Sequence, residues 1–132
     1  MIKSKRKYLT NQKDFHLMAC KHFRAKEFRC PCCKEVFVAE ELVQRLEQAR
    51  EIAGVQFHIT SGYRCPKHNK EVGGKPNSAH MQGMAADIAA ERSDIRLRIL
   101  VGLIQAGFRR IGIGRTFIHA DIKPERKAIW LY

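Results

Sequence analysis

The chain has 132 residues, 45% of them hydrophobic, which is the size and composition of one ordinary globular domain, able to bury a core without disulfide staples. No apolar run approaches the roughly 20 residues that cross a bilayer, so no transmembrane helix is expected. Twenty-five Lys and Arg against thirteen Asp and Glu give a formal charge of +12, which draws the surface toward polyanions such as nucleic acid, anionic lipid or anionic cell-wall polymer.

Residues 1–20 are polar and basic and read as an N-terminal arm or weak helix ahead of a domain over 21–132. Their charge resembles a signal-peptide n-region, but no apolar segment follows. Leu17-Met18-Ala19-Cys20 resembles a lipoprotein cleavage box, yet the residues before it are too polar to insert. Synthesis in the cytoplasm is therefore expected, with some other agent releasing a protein that acts outside it. Residues 22–37 form an irregular lead-in segment, with Phe23, Phe28, Val36 and Phe37 as anchors in the core.

Residues 39–53 read as a helix, since Leu42, Val43, Leu46, Ala49, Ile52 and Ala53 share one face. Glu40 and Glu41 suit its first turn, and Gly54 suits its end. Residues 55–60 alternate as a strand, residues 61–78 are rich in turn formers, and residues 83–89 read as a second strand. Ser93 is placed as the N-cap of a helix to about Gln105, with Ile95, Ile99, Val101, Leu103 and Ile104 on its buried side. Residues 110–114 and 117–122 read as two strands around a tight turn. Helix, strand, long loop, strand, helix, strand, strand is an α+β order rather than a doubly wound sheet.

Five cysteines, Cys20, Cys30, Cys32, Cys33 and Cys65, are an odd number, which argues against a full disulfide framework. Three readings stay open: buried free thiols, a pairing between the Cys30 region and Cys65, or a second metal at Cys30-Pro31-Cys32-Cys33. The basic residues are spread along the chain without an aromatic-interleaved basic strand or a DNA-binding motif, so no specific nucleic-acid partner is expected. No residue pattern sets the oligomeric state, and a monomer is the default.

The most pointed chemistry lies in His80, Asp87 and His119. Two imidazoles and a carboxylate suffice to hold a catalytic zinc and leave one position open for water. Taken singly, a histidine in a strand is more often a hydrogen-bonded structural residue than a ligand. A straight strand of about 3.3 Å per residue would also keep His80 and Asp87 apart, and Gly83 offers the bend that brings the chain round. In residues 117–122, His119 and Asp121 share a face opposite Ile118, Ala120 and Ile122. If the latter three face the core, the polar pair faces a cleft.

Ser78-x-His80-x-x-Gly83-x-Ala85-x-Asp87 resembles at every fixed position the SxHxxGxAxD signature of the zinc D-Ala-D-Ala carboxypeptidase family, peptidase family M15. Ser61-Gly62-Tyr63-Arg64-Cys65-Pro66-Lys67-His68-Asn69, Val72-Gly73-Gly74, Phe117-Ile118-His119-Ala120-Asp121 and Trp130 resemble flanking blocks of its small carboxypeptidase and peptidoglycan endopeptidase branch, in the same order. The resemblance covers about residues 22–132. It implies a small antiparallel sheet with flanking helices (zinc DD-peptidase or hedgehog-like), Zn2+ held by His80, Asp87 and His119, and Arg64 steadying the substrate carbonyl or its oxyanion. Ser78 would support the ligand loop by hydrogen bonding, or simply serve its turn. The implied substrates are peptidoglycan stem peptides containing D-amino acids.

The chain departs from the family it resembles at the general base. One branch places a carboxylate where this chain has Thr116, and another a histidine where it has Phe117. Asp121 is the nearest remaining carboxylate, either as the base or as an acceptor that orients an imidazole; His58 and His68 are further candidates. The leading expectation is a peptidoglycan metallopeptidase, cutting a terminal bond or a cross-link. Its size, charge and missing signal fit a phage or prophage lysis protein. The missing base supports one alternative, a non-catalytic zinc-stabilised wall-binding module. Charge and the cysteine run alone support a zinc-containing nucleic-acid binder.

Overall fold

The computed structural model describes residues 6–132. In chain order it contains β1 (Tyr8–Leu9), α1 (Gln12–Leu17), a 3-10 turn (Ala25–Phe28), β2 (Val38–Ala39), α2 (Glu40–Ala53), β3 (Ile59–Ser61) and α3 (Pro66–Glu71). Then follow β4 (Ala85–Ala89), α4 (Ser93–Gln105), β5 (Arg110–Ile113), β6 (Phe117–Asp121) and β7 (Ala128–Leu131). The fold is α+β. A five-stranded sheet has the order β3-β4-β6-β5-β7, and β1 and β2 form a separate two-stranded ribbon. The main sheet is antiparallel except at its edge, where β7 pairs parallel with β5.

Pleat alternation divides the sheet into two faces. Ile88 and Ala86 of β4, Ile118 and Ala120 of β6, and Ile111 of β5 join the apolar core. α2 and α4 supply its other side with Leu42, Val43, Leu46, Ala49, Ile99 and Leu103. Each fully buried Leu or Ile contributes about 1.5–3 kcal/mol of transfer free energy. The two helices approach closely at Gly102, where a Cβ would lie 2.5 Å from the carbonyl oxygen of Ala49.

α2 begins one residue after the expected start, carries Glu40 and Glu41 in its first turn, and ends at Gly54 in a left-handed conformation, φ 67°. Ile52 is exposed. α4 spans the predicted length, but Ser93 is its first helical residue and not a side-chain cap, the cap position being Arg92. Val101 and Ile104 point to solvent, and Ile99, Gly102 and Leu103 make the contact. Almost every position from Ile99 to Ile104 is apolar, so periodicity there does not choose a face.

Of residues 1–20, those at 1–5 lie outside the described residues. Residues 8–17 are built into the fold. Leu9 and Phe15 are buried, and the Phe15 ring lies 5.8 Å from that of Phe28. Asn11 caps α1 by accepting the backbone N–H of Asp14. Phe23 and Phe28 are buried as expected, while Val36 and Phe37 are half-buried and Phe37 stacks on Tyr8. Among the described residues, no helix is long and apolar enough to cross a membrane.

Candidate metal centre

The sheet face opposite the helices carries the site. In the β4–β6 ladder Asp87 pairs directly with His119, which sets both side chains on the same face. His80 comes from the turn over residues 79–83. Gly83, at φ +68°, reverses the chain there, and Met84 N–H closes the turn on Ala79 O at 3.0 Å. A Cβ at Gly83 would strike the carbonyl oxygen of Phe37, so glycine is required for space as well as for its dihedral. The bend inferred at Gly83 is thus observed, and the strand starts after it. The Ser78 hydroxyl accepts the His80 backbone N–H at 3.2 Å and steadies the same turn.

His80 Nδ1 lies 2.7 Å from the carbonyl oxygen of Gly62. A carbonyl only accepts, so Nδ1 carries the proton and Nε2 is presented to the site. His80 Nε2 and His119 Nδ1 lie 3.2 and 2.9 Å from the same oxygen, Oδ1 of Asp87. The candidate ligand atoms of these three residues all fall within 4.8 Å of one another, and all three residues are buried. His119 Nε2 lies 2.7 Å from Asp121 Oδ2, and Asp121 Oδ1 accepts Arg110 Nε at 2.7 Å and Lys123 N–H at 3.0 Å. Arg64 reaches the outer oxygen of Asp87, with Nη2 3.4 Å from Oδ2; its Nε donates to Ser61 Oγ and its Nη1 to Asn69 Oδ1.

Burial opposes ionisation of Asp87, but the His119 and His80 hydrogen bonds overcome it and hold the carboxyl well below the usual range. Burial likewise opposes charge on Asp121, and His119 and Arg110 outweigh it, lowering its pKa. For His119, burial disfavours the imidazolium, but the hydrogen bonds it donates to Asp121 and Asp87 prevail and raise its pKa. The donor set fits a divalent cation. With Nδ1 of His80 committed to Gly62, its Nε2 faces a carboxylate oxygen, and a proton or a cation must lie between them. His80, Asp87 and His119 would be the ligands. Their two nitrogens and one oxygen are the usual complement of a metal site with an open position.

Arg64, His80, Asp87, His119 and Asp121 are therefore gathered in one place. The other positions weighed for the base are not. Thr116 is exposed, Phe117 packs its ring 5.1 Å from that of Tyr132, His58 is exposed, and His68 turns to Glu71. Sequence reasoning passed over Arg110, which the β5–β6 register sets opposite Asp121. It also passed over Asn69, which braces Arg64 and is enclosed by Gly74, where a Cβ would collide with the Asn69 side chain. The strand phase of residues 110–114 against 117–122 held the signal for Arg110. Trp130 and Tyr132 pack their rings 5.6 and 6.5 Å from His119. Gly112 makes room for them, since a Cβ there would lie 2.6 Å from Trp130 Nε1.

No curated protein matches the chain. A family model described as Peptidase M15 matches residues 21–121, well over half of the chain. The match takes in Arg64, His80, Asp87, His119 and Asp121, and with the buried His-Asp-His cluster it shows that the chain belongs to peptidase family M15, a family of metallopeptidases.

Proposed function

We propose that this protein is a zinc peptidase that hydrolyses peptide bonds of peptidoglycan stem peptides containing D-amino acids. The observation that carries the reading is the convergence of His80 and His119 on Asp87, with Arg64 beside them. The SxHxxGxAxD motif and its flanking blocks support the substrate class, and the charge of +12 suits a wall rich in anionic polymers.

Bound zinc would polarise the scissile carbonyl and bring the pKa of a water toward about 7. The residues do the rest. Gly62 fixes the His80 tautomer so that Nε2 is offered to the metal. Asp121 does the same for His119, accepting Nε2–H and leaving Nδ1 for the ligand set. Both Asp121 oxygens are engaged and its side chain is 2% exposed, which favours an orienting role over that of a general base. Arg64, held by Ser61 and Asn69, keeps its guanidinium at the edge of the cluster, where it steadies the carbonyl oxygen as negative charge develops. Action at the bacterial wall after release, in a phage or prophage lysis setting, completes the proposal.

Digestion of purified muropeptides by the zinc-loaded protein, read by mass spectrometry, tests it. Shortened or unlinked stem peptides are expected, and none with His80→Ala. Metal-loaded, folded protein that cuts no muropeptide would overturn the peptidase reading in favour of a wall-binding module.

A further inference from the structure

A second cluster of metal-ligating side chains lies beside the arginine loop. The sulfur atoms of Cys30, Cys33 and Cys65 fall within 4.8 Å of one another, and all three thiols are free. Cys30 is fully buried, Cys65 half-buried and Cys33 exposed. The cluster is therefore open to solvent on one side, unlike a thiol packed as a small hydrophobe.

The backbone around Cys30 is shaped for this. Lys34 N–H donates to Cys30 O at 2.9 Å and Cys30 N–H to Glu35 O at 2.9 Å, closing a tight turn. Lys34 adopts φ 66°, a left-handed conformation costly for a side-chain-bearing residue. The turn folds Cys30-Pro31-Cys32-Cys33 so that its first and last sulfurs face one way, the C-x2-C spacing of tetrahedral metal sites. From the other side, Cys65 N–H donates to Cys30 Sγ at 3.4 Å, and Cys65 Sγ accepts His68 N–H at 3.4 Å. The Cys30 sulfur thus meets a backbone N–H, a polar setting rather than an apolar one. Cys20 has the opposite surroundings, burial and the Glu47 carboxylate, which push its pKa up to about 12.

We propose that Cys30, Cys33 and Cys65 form a second, structural metal site that takes zinc through thiolate sulfur. Cys32 lies in the same turn, between the two ligands of that segment. The site joins the 30–35 turn to the loop that carries Gly62 and Arg64. That loop is already tied to the first segment by Tyr63 N–H on Phe28 O at 2.9 Å, and Arg64 N–H reaches His80 O at 3.2 Å. Metal here would brace both the carbonyl that fixes His80 and the arginine at the cluster, with no part in bond cleavage.

Metal content of reduced protein, measured by plasma mass spectrometry, tests the site independently of any peptidase activity. A second equivalent of zinc is expected beyond that at His80, Asp87 and His119. The double variant Cys33→Ser/Cys65→Ser should lose one equivalent, and His80→Ala/His119→Ala should keep one. Cobalt in that histidine variant should give near-ultraviolet sulfur-to-metal charge-transfer bands, and the same bands should appear in the unaltered protein if a variant fails to fold. Reduced protein that binds a single equivalent and shows no such bands overturns the proposal. So does an intact mass showing that the native thiols are joined as a disulfide.

Discussion

Replacing Asp121 by Asn separates the two roles open to this carboxylate. Asn keeps one acceptor oxygen and turns the other into an NH2 donor. If the amide oxygen stays toward Arg110 Nε and Lys123 N–H, the NH2 faces His119 Nε2. Nε2 must then accept, and the imidazole proton moves to Nδ1, the nitrogen that faces Asp87 in the ligand cluster. The opposite orientation sets the NH2 against two donors instead of one, so the tautomer switch is the lesser conflict. Loss of a partner that orients a metal-bound imidazole costs about 10–100-fold in metal affinity, or about 1.4–2.7 kcal/mol. A general base would behave differently, with metal affinity kept and turnover down by about 10²–10⁴-fold. Competition with a chromophoric chelator gives the affinity, and muropeptide turnover at saturating zinc gives the rate. Weakened binding, with turnover largely recovered at saturating metal, is expected. Unchanged affinity with turnover still lost at saturating zinc would refute the tautomer argument and make Asp121 the base.

Three further outcomes follow from the geometry. Gly83→Ala forces a side chain onto φ +68° and against the Phe37 carbonyl, and should cost about 1–3 kcal/mol in urea unfolding; an unchanged midpoint would show that the turn tolerates it. Gly112→Ala would set a Cβ 2.6 Å from Trp130 Nε1 and Tyr132 Cε2. Overpacking of about 1–3 kcal/mol is expected, with a red shift in the emission of Trp130, the chain's single tryptophan. Chelator-stripped protein should be most stable between about pH 4 and pH 6.5. The lowered Asp87 pKa gives stability that is complete above its ordinary value near 3.8 and lost as pH falls. The raised His119 pKa gives stability that is complete below its ordinary value near 6.5 and lost as pH rises through the raised one. Thermal melts across pH check this, and a flat profile contradicts the ion-paired cluster.

The sites that sequence reasoning found are those where local constraint is strong. Gly83 was legible because a histidine and an aspartate seven residues apart need a reversal to meet, and glycine is the residue that permits it. α2 was legible because its apolar positions recur on one face. α3 was missed because Pro66-Lys67-His68-Asn69 has the composition of a turn, and six residues give no periodicity to read. β7 was missed because Ala128, Ile129 and Leu131 are exposed and show no alternation; its parallel pairing with β5 alone makes it a strand. Leu9 and Phe15 looked like parts of an arm because two apolar residues among charges are a weak signal until Phe28 and the core are in place.

By itself the sequence determined the α+β order, the two long helices and the three candidate ligands, because periodicity, turn residues and a dense motif are local properties of the chain. Only the tertiary structure decided which nitrogen each histidine offers, since that depends on Gly62 and Asp121. It alone brought Arg110 to Asp121 through strand register, and gathered Cys30, Cys33 and Cys65 from segments more than thirty residues apart. These are non-local pairings, and the physical reason they escape a linear reading is that their partners are set by how strands and loops pack rather than by spacing along the chain.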